Sequence, residues 1–117
     1  MKPIEIYNDK FLNAISWFMR VGGISLFPFI IMREYKKGTP GGQRTVNHET
    51  IHFWQTLELG IIGFYFLYVL FWLKNLLVYR NLDKAYYEIP FEREAYKNQE
   101  NLNYIKERKA YAWLWYV

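Results

Sequence analysis

The chain of 117 residues contains no cysteine, which excludes disulfide staples and every thiolate metal site and leaves histidine and carboxylate as the available ligand types. Its 15 Lys and Arg and 11 Asp and Glu are dispersed, with no block of five or six like charges. The net charge of +4 therefore does not form the electrostatic footprint of a nucleic-acid binder, and nucleic acid is not an expected partner. Proline is scarce, at 4 residues, and no low-complexity tract or internal repeat stands out. The opening MKPIEIYNDK carries Pro, Glu and Asp where a secretory leader needs a basic end followed by an apolar core. No cleaved leader is expected.

Aromatic residues are what the chain has in excess: 5 Trp, 11 Tyr and 9 Phe make up 21% of it, far above ordinary globular usage. Apolar residues reach 52% while the mean hydropathy stays slightly negative at −0.19. So short a chain buries only part of such a surface by itself. A membrane or a partner protein is expected to cover the rest, and the length allows one small domain spanning residues 1–117.

Residues 11 to 32 form a first apolar region, interrupted by Arg20, the Gly22-Gly23 pair and Pro28. The pattern predicts a short amphipathic helix over Phe11 to Met19, then an extended segment from Ile24 to Met32. Because Pro28 has no N–H to give to a ladder, that segment is expected to be an edge strand. Residues 33 to 44, with Gly38, Pro40, Gly41 and Gly42, read as a loop. From Thr45 to Tyr79 the chain runs without proline, as one helix or as two meeting near Gly60 or Gly63.

Fifteen residues from Leu59 to Leu73 carry no charge, close to the ~20 apolar residues that span a bilayer. This stretch is expected to lie in or on a membrane, with Tyr65, Tyr68, Trp72 and Tyr79 as interfacial anchors; a buried core helix is the plainer alternative. Beyond Arg80 the pattern predicts two helices parted near Pro90 and an aromatic end, AYAWLWYV, that docks against something. The expected fold class is α+β, predominantly helical.

The two histidines of the chain stand as His48-Glu49-Thr50-Ile51-His52. On a helix, residues four apart lie nearly one above the other, so both imidazoles reach one metal ion while Glu49 is turned toward a bound water. Zinc hydrolysis needs that arrangement: Zn²⁺ lowers the pKa of its water, and a neighbouring carboxylate takes the proton. Random placement would produce such a motif in roughly three of a thousand chains of this composition. Ordinary hydrogen-bonded histidines, or a structural metal, are the bland alternatives. A catalytic site needs a third protein ligand, and Glu92 and Glu94 offer themselves forty residues downstream. Two residues apart on a helix, they point in different directions, so geometry predicts one of them as ligand rather than both. Gln55 shares the face of His52, and Tyr86, Tyr87 and Tyr96 flank the Glu92 helix as candidate oxyanion donors.

His48-Glu49-x-x-His52 followed by Phe91-Glu92-Arg93-Glu94-Ala95 resembles the gluzincin metallopeptidases. The similarity is nearest to their membrane-embedded, prenyl-protease-like and BlaR-like branch. In that branch a downstream helix carries Glu-x-x-Ala-Asp, and its first Glu is the third zinc ligand. The resemblance implies His48, His52 and Glu92 as ligands of Zn²⁺, Glu49 as general base and Ala95 as the small companion. Glu94 is the reserve ligand. Tyr96 stands where the family has its Asp, so the group that would orient a ligand is a phenol here.

The function expected is that of a minimal-length, membrane-associated zinc metallopeptidase acting on peptide or protein substrates, in a setting that fits a bacterial membrane. An extended peptide pairing with the Ile24 to Met32 edge would hold the scissile bond. The alternative is a non-catalytic, peptidase-like accessory subunit of a larger membrane protein complex. A lipid-directed zinc hydrolase is a third reading.

Overall fold

The computed structural model describes residues 2–15 and 23–117. In chain order the elements are β1 (Ile4–Tyr7), α1 (Asp9–Ile15), β2 (Gly23–Leu26), β3 (Phe29–Met32), α2 (Pro40–Leu59), α3 (Ile61–Tyr79), α4 (Leu82–Tyr87), α5 (Pro90–Asn98) and α6 (Tyr104–Glu107). Two 3₁₀ turns, Glu34–Lys36 and Ala112–Tyr116, complete it. The fold is predominantly helical α+β with one small sheet.

The sheet differs from the single edge strand expected over Ile24 to Met32. Two strands occupy that stretch, with Phe27 and the cis-linked Pro28 forming the turn between them. At a turn Pro28 owes no hydrogen bond to a ladder, so it does not confine its neighbours to an edge. β3 is in fact central: β1 pairs with it in parallel and β2 antiparallel. Its Ile30 and Met32 are fully enclosed. β1 arises from the opening residues, where no strand was expected, because Ile4 to Tyr7 find a partner only through this long-range pairing. α1 begins at Asp9, two residues earlier than the pattern predicts, since the Asn8 side chain caps the Phe11 N–H at 2.9 Å. The remainder of the expected helix, beyond Ile15, lies outside the described residues.

α2 starts at Pro40 inside the segment read as a loop. Thr39 is its cap, accepting from the Gly42 N–H at 3.0 Å, and Pro40 holds the first helical position. Gly42 is required by packing rather than by turn geometry, because a Cβ there would stand 1.9 Å from the Lys36 carbonyl oxygen. At Gly60, where φ is 75°, the chain leaves α2 and enters α3. α3 ends on Arg80 in the left-handed conformation, and Asn81 caps α4 through the Lys84 N–H at 2.9 Å.

α2, α3 and α5 pack together around Phe64, Ile89, Phe91 and Trp113. Phe91 is fully enclosed, its ring 4.9 Å from both Phe64 and Trp113. The aromatic C-terminal segment docks only in part: Trp113 is buried, whereas Trp115 is 88% exposed. Among residues of α3, Phe64 and Asn75 are buried. Ile62, Phe66, Val69, Leu73 and Leu77, spaced by three and four, form an exposed apolar stripe along its outer face. With 19 residues and a mean hydropathy of 1.9 over an 18-residue window, α3 is long and apolar enough to cross a membrane.

Candidate metal centre

His48, Glu49 and His52 lie in the middle of α2, while Glu92 sits in the first turn of α5. Packing of these two helices closes the forty-residue gap between them. The atoms that meet are His48 Nε2, His52 Nε2 and Glu92 Oε1. Their separations are 3.2 Å between the nitrogens, and 3.1 and 3.0 Å from them to the oxygen. This near-equilateral triangle is close to the ~3.3 Å spacing of ligands bonded at ~2.05 Å around a tetrahedral ion. All three side chains are buried.

Protons cannot be placed to satisfy this triangle with both imidazoles neutral. Gln55 gives its Nε2 to two acceptors, Glu94 Oε1 at 2.9 Å and the Phe91 carbonyl at 3.1 Å. Its Oε1 is therefore the end that faces His52 Nδ1, at 2.7 Å. His52 Nδ1 must donate to it. Gln99 presents its Oε1 to His48 Nδ1 at 2.8 Å, and with the amide in this orientation that Nδ1 is also a donor. Both rings then turn a bare Nε2 lone pair toward a carboxylate oxygen, an acceptor-only cluster that calls for a cation or an added proton. Without a metal the proton wins. Burial disfavours an imidazolium, yet the Glu92 carboxylate beside it outweighs that cost and pushes His52 up to about 9. Burial likewise works to raise Glu92, but the two imidazoles overcome it and hold the carboxyl well below the usual range. Two imidazoles and one carboxylate, each fixed by a further hydrogen bond, suit a borderline divalent ion such as Zn²⁺.

Glu92 uses its other oxygen to accept the Tyr68 hydroxyl at 2.6 Å. Tyr68, expected only as an interfacial anchor, thus reaches the site from α3. A signal was present: Tyr65, Tyr68, Trp72 and Asn75 share one face of an otherwise apolar helix. Gln99, seven residues after Glu92 and not among the expected site residues, follows the end of α5 on the Glu92 face. Asn47 fastens that end by donating to the carbonyls of Asn98, Gln99 and Asn101 at 3.2, 2.9 and 3.0 Å.

Glu49 is buried beside the cluster, and among the described residues no hydrogen bond reaches its carboxylate. Burial raises its pKa, partly offset by the nearby imidazoles. Glu94, the reserve ligand, is turned away from the triangle and engaged by Gln55, Tyr104 and Arg108. Tyr96 lays its ring edge-on to His48, with centroids 4.5 Å apart, and its hydroxyl meets that of Tyr86 at 3.0 Å. Tyr87 packs on Tyr96 farther out. Ala95 is fully buried in α5. α2 lies against both β2 and β3, and β2 is the sheet edge on that side. One of its outward carbonyls, that of Ser25, already accepts the Tyr65 hydroxyl at 3.0 Å.

Comparison with protein-family models, curated proteins and solved structures finds no match to this chain.

Proposed function

We propose that the chain is a membrane-associated zinc metallopeptidase, with His48, His52 and Glu92 as the metal ligands and Glu49 as general base. The observation that carries this reading is the convergence of three buried, proton-poor donor atoms beside a second carboxylate, that of Glu49, which accepts no hydrogen bond among the described residues. Zn²⁺ held by three protein ligands would supply Lewis acidity to a water and to the substrate carbonyl. Glu49 takes the proton of the attacking water, the oxygen bonds to the carbonyl carbon, and the C–N bond breaks with that proton delivered to the leaving nitrogen. A pKa raised by burial suits a group that must both accept and return a proton near neutrality. Burial also raises the phenols of Tyr86 and Tyr96, which keeps their protons available for donation to a developing oxyanion. Main-chain pairing along β2 would align an extended substrate.

The outer stripe of α3 supports membrane association, because five large apolar side chains on one face have no protein cover. Peptide or protein substrates that are themselves membrane-bound follow from that setting. The experiment that tests the reading is metal analysis of purified protein together with a Glu49→Gln variant. Stoichiometric zinc in both, with proteolysis lost only in the variant, is the expected result; zinc-free wild-type protein at neutral pH would overturn the proposal. A second reading, a non-catalytic subunit of a larger membrane complex, draws on the exposed Trp115 and Leu114 beside the docked Trp113. Stable co-purification of a partner, with function intact in His48→Ala, would favour it.

A further inference from the structure

Glu94 is a carboxylate with no exposed surface, and it accepts four hydrogen bonds. Tyr104 donates at 2.7 Å and Arg108 Nε at 2.6 Å to one oxygen, while Gln55 Nε2 at 2.9 Å and Arg108 Nη2 at 3.2 Å reach the other. Arg108 also forms a bidentate pair with Glu58 at 2.8 and 3.0 Å, and Glu58 accepts the Tyr111 N–H at 2.6 Å. A structural clamp between the C-terminal segment and α2 needs Arg108, Glu58 and Glu94 alone. The bond to Gln55 serves no part of that clamp.

We propose that Glu94 is a positioning residue for the metal centre: acting through Gln55, it fixes the Nδ1-protonated form of His52 and aims its Nε2 lone pair at the ion. The proposal rests on reading the His48, His52 and Glu92 triangle as a metal site. The physical step is the orientation of one amide. With Glu94 and the Phe91 carbonyl both acceptors, a reversed Gln55 would bring its own oxygen against two buried oxygens. Only one orientation survives, and it presents Oε1 to His52 Nδ1. Tyr96 takes no part in this, since it meets His48 through its ring. The aspartate that the resemblance leads one to expect at Tyr96 is thus replaced by a carboxylate two residues earlier acting at one remove. A ligating histidine whose second nitrogen is held in this way binds more tightly, and loss of such a partner typically costs about 10–100-fold in metal affinity.

The test uses the full chain and four proteins: wild type, Glu94→Gln, Gln55→Glu, and the double swap carrying both. Two readouts apply, the Zn²⁺ dissociation constant by chelator competition and the ¹H–¹⁵N correlation of the His52 Nδ1–H, which is easily assigned in a chain with 2 histidines. Wild type should show the correlation with and without Zn²⁺. Glu94→Gln lets the Gln55 amide turn and should shift or lose the correlation and weaken Zn²⁺ binding about 10–100-fold, whereas Gln55→Glu keeps an acceptor against Nδ1 but sets its carboxylate against Glu94 and the Phe91 carbonyl, and should shift the correlation. The swap keeps an acceptor against Nδ1 and restores a donor between positions 55 and 94, so both readouts should return to within about threefold of wild type. Losses that simply add in the double variant, or a Glu94→Gln protein with an unchanged His52 signal and zinc affinity, would overturn the proposal. Should Glu94→Gln not fold, Gln55→Met leaves the Arg108 clamp intact and removes only the link; an unaltered His52 signal there refutes the idea equally. A wild type that shows the correlation but holds no Zn²⁺ counts against the metal reading alone and supports the proton placement.

Discussion

Replacing Tyr68 by Phe deletes one hydroxyl from the inner face of α3 and leaves the ring packing against Phe64 and Phe91 in place. That hydroxyl donates to Glu92 Oε2 at 2.6 Å, a charge-assisted bond to a buried carboxylate worth about 1.5–3 kcal/mol. Its loss frees the carboxylate to rotate, and the expected cost in zinc affinity is about 10–100-fold. The consequence is read as a thermal shift. For 117 residues the unfolding entropy is about 0.25 kcal/mol/K, and zinc at ~100 times the wild-type Kd stabilises by ~2.7 kcal/mol, or ~11 °C in Tm. At the same zinc concentration a tenfold weaker site gives ~1.4 kcal/mol and ~6 °C, and a hundredfold weaker one ~0.4 kcal/mol and ~2 °C. The assay is calorimetry of both proteins with and without zinc, comparing the zinc-induced increments rather than the absolute Tm. If wild type and Tyr68→Phe gain the same increment, α3 does not position the Glu92 ligand and the reasoning fails.

Further outcomes follow from other parts of the structure. In the metal-free protein, the folded His52 pKa of about 9 exceeds its ordinary 6.5, so its stabilisation is full below pH 6.5 and disappears as pH rises through 9. Glu92 is depressed below its ordinary 4.5, so its contribution holds above pH 4.5 and is lost as pH falls through the lowered value. Metal-free Tm should therefore peak in the mildly acidic range. Zinc competes with the His52 proton, so its affinity should climb about tenfold per pH unit between about 7 and 9; a flat profile by chelator competition would contradict this. Phe91→Ala empties the centre of the α2, α3 and α5 interface and should cost about 3–5 kcal/mol in a denaturant titration; a loss under about 1 kcal/mol would mean the core is elsewhere. Ile62→Lys and Leu77→Lys, at positions 87% and 80% exposed, should each weaken sedimentation with lipid vesicles about tenfold or more, and unchanged binding would remove the α3 stripe as the lipid contact.

Some of this was legible because the signal is local. Two histidines four apart without an intervening proline declare a helix face, and the uncharged run after Leu59 declares an apolar helix. Pro90 marks a helix start as readily in sequence as in three dimensions. Local rules do not reach non-local features. Pro28 locally suggests an edge, but strand order depends on β1, whose four residues carry no sign of their parallel partner twenty-five positions away. Gly41 and Gly42 read locally as a loop, although Thr39 and Pro40 ahead of them form a helix start. The choice between Glu92 and Glu94 could not be made from spacing, since one carboxylate looks like the other until packing selects a face.

By itself the sequence determined the chemical inventory: two imidazoles on one helical face with Glu49 between them, acidic residues on a later helix, and no thiol to compete. It also determined that an apolar helix would separate those two halves, because hydrophobic periodicity is written residue by residue. Tertiary structure alone decided which carboxylate joins the imidazoles, and it turned Glu92 inward while Arg108 drew Glu94 away. It alone brought Tyr68, Gln55 and Gln99 to the atoms they orient. The physical reason is that ligand geometry depends on tenths of an ångström between segments forty residues apart, which is set by side-chain packing across helices and not by any spacing along one of them.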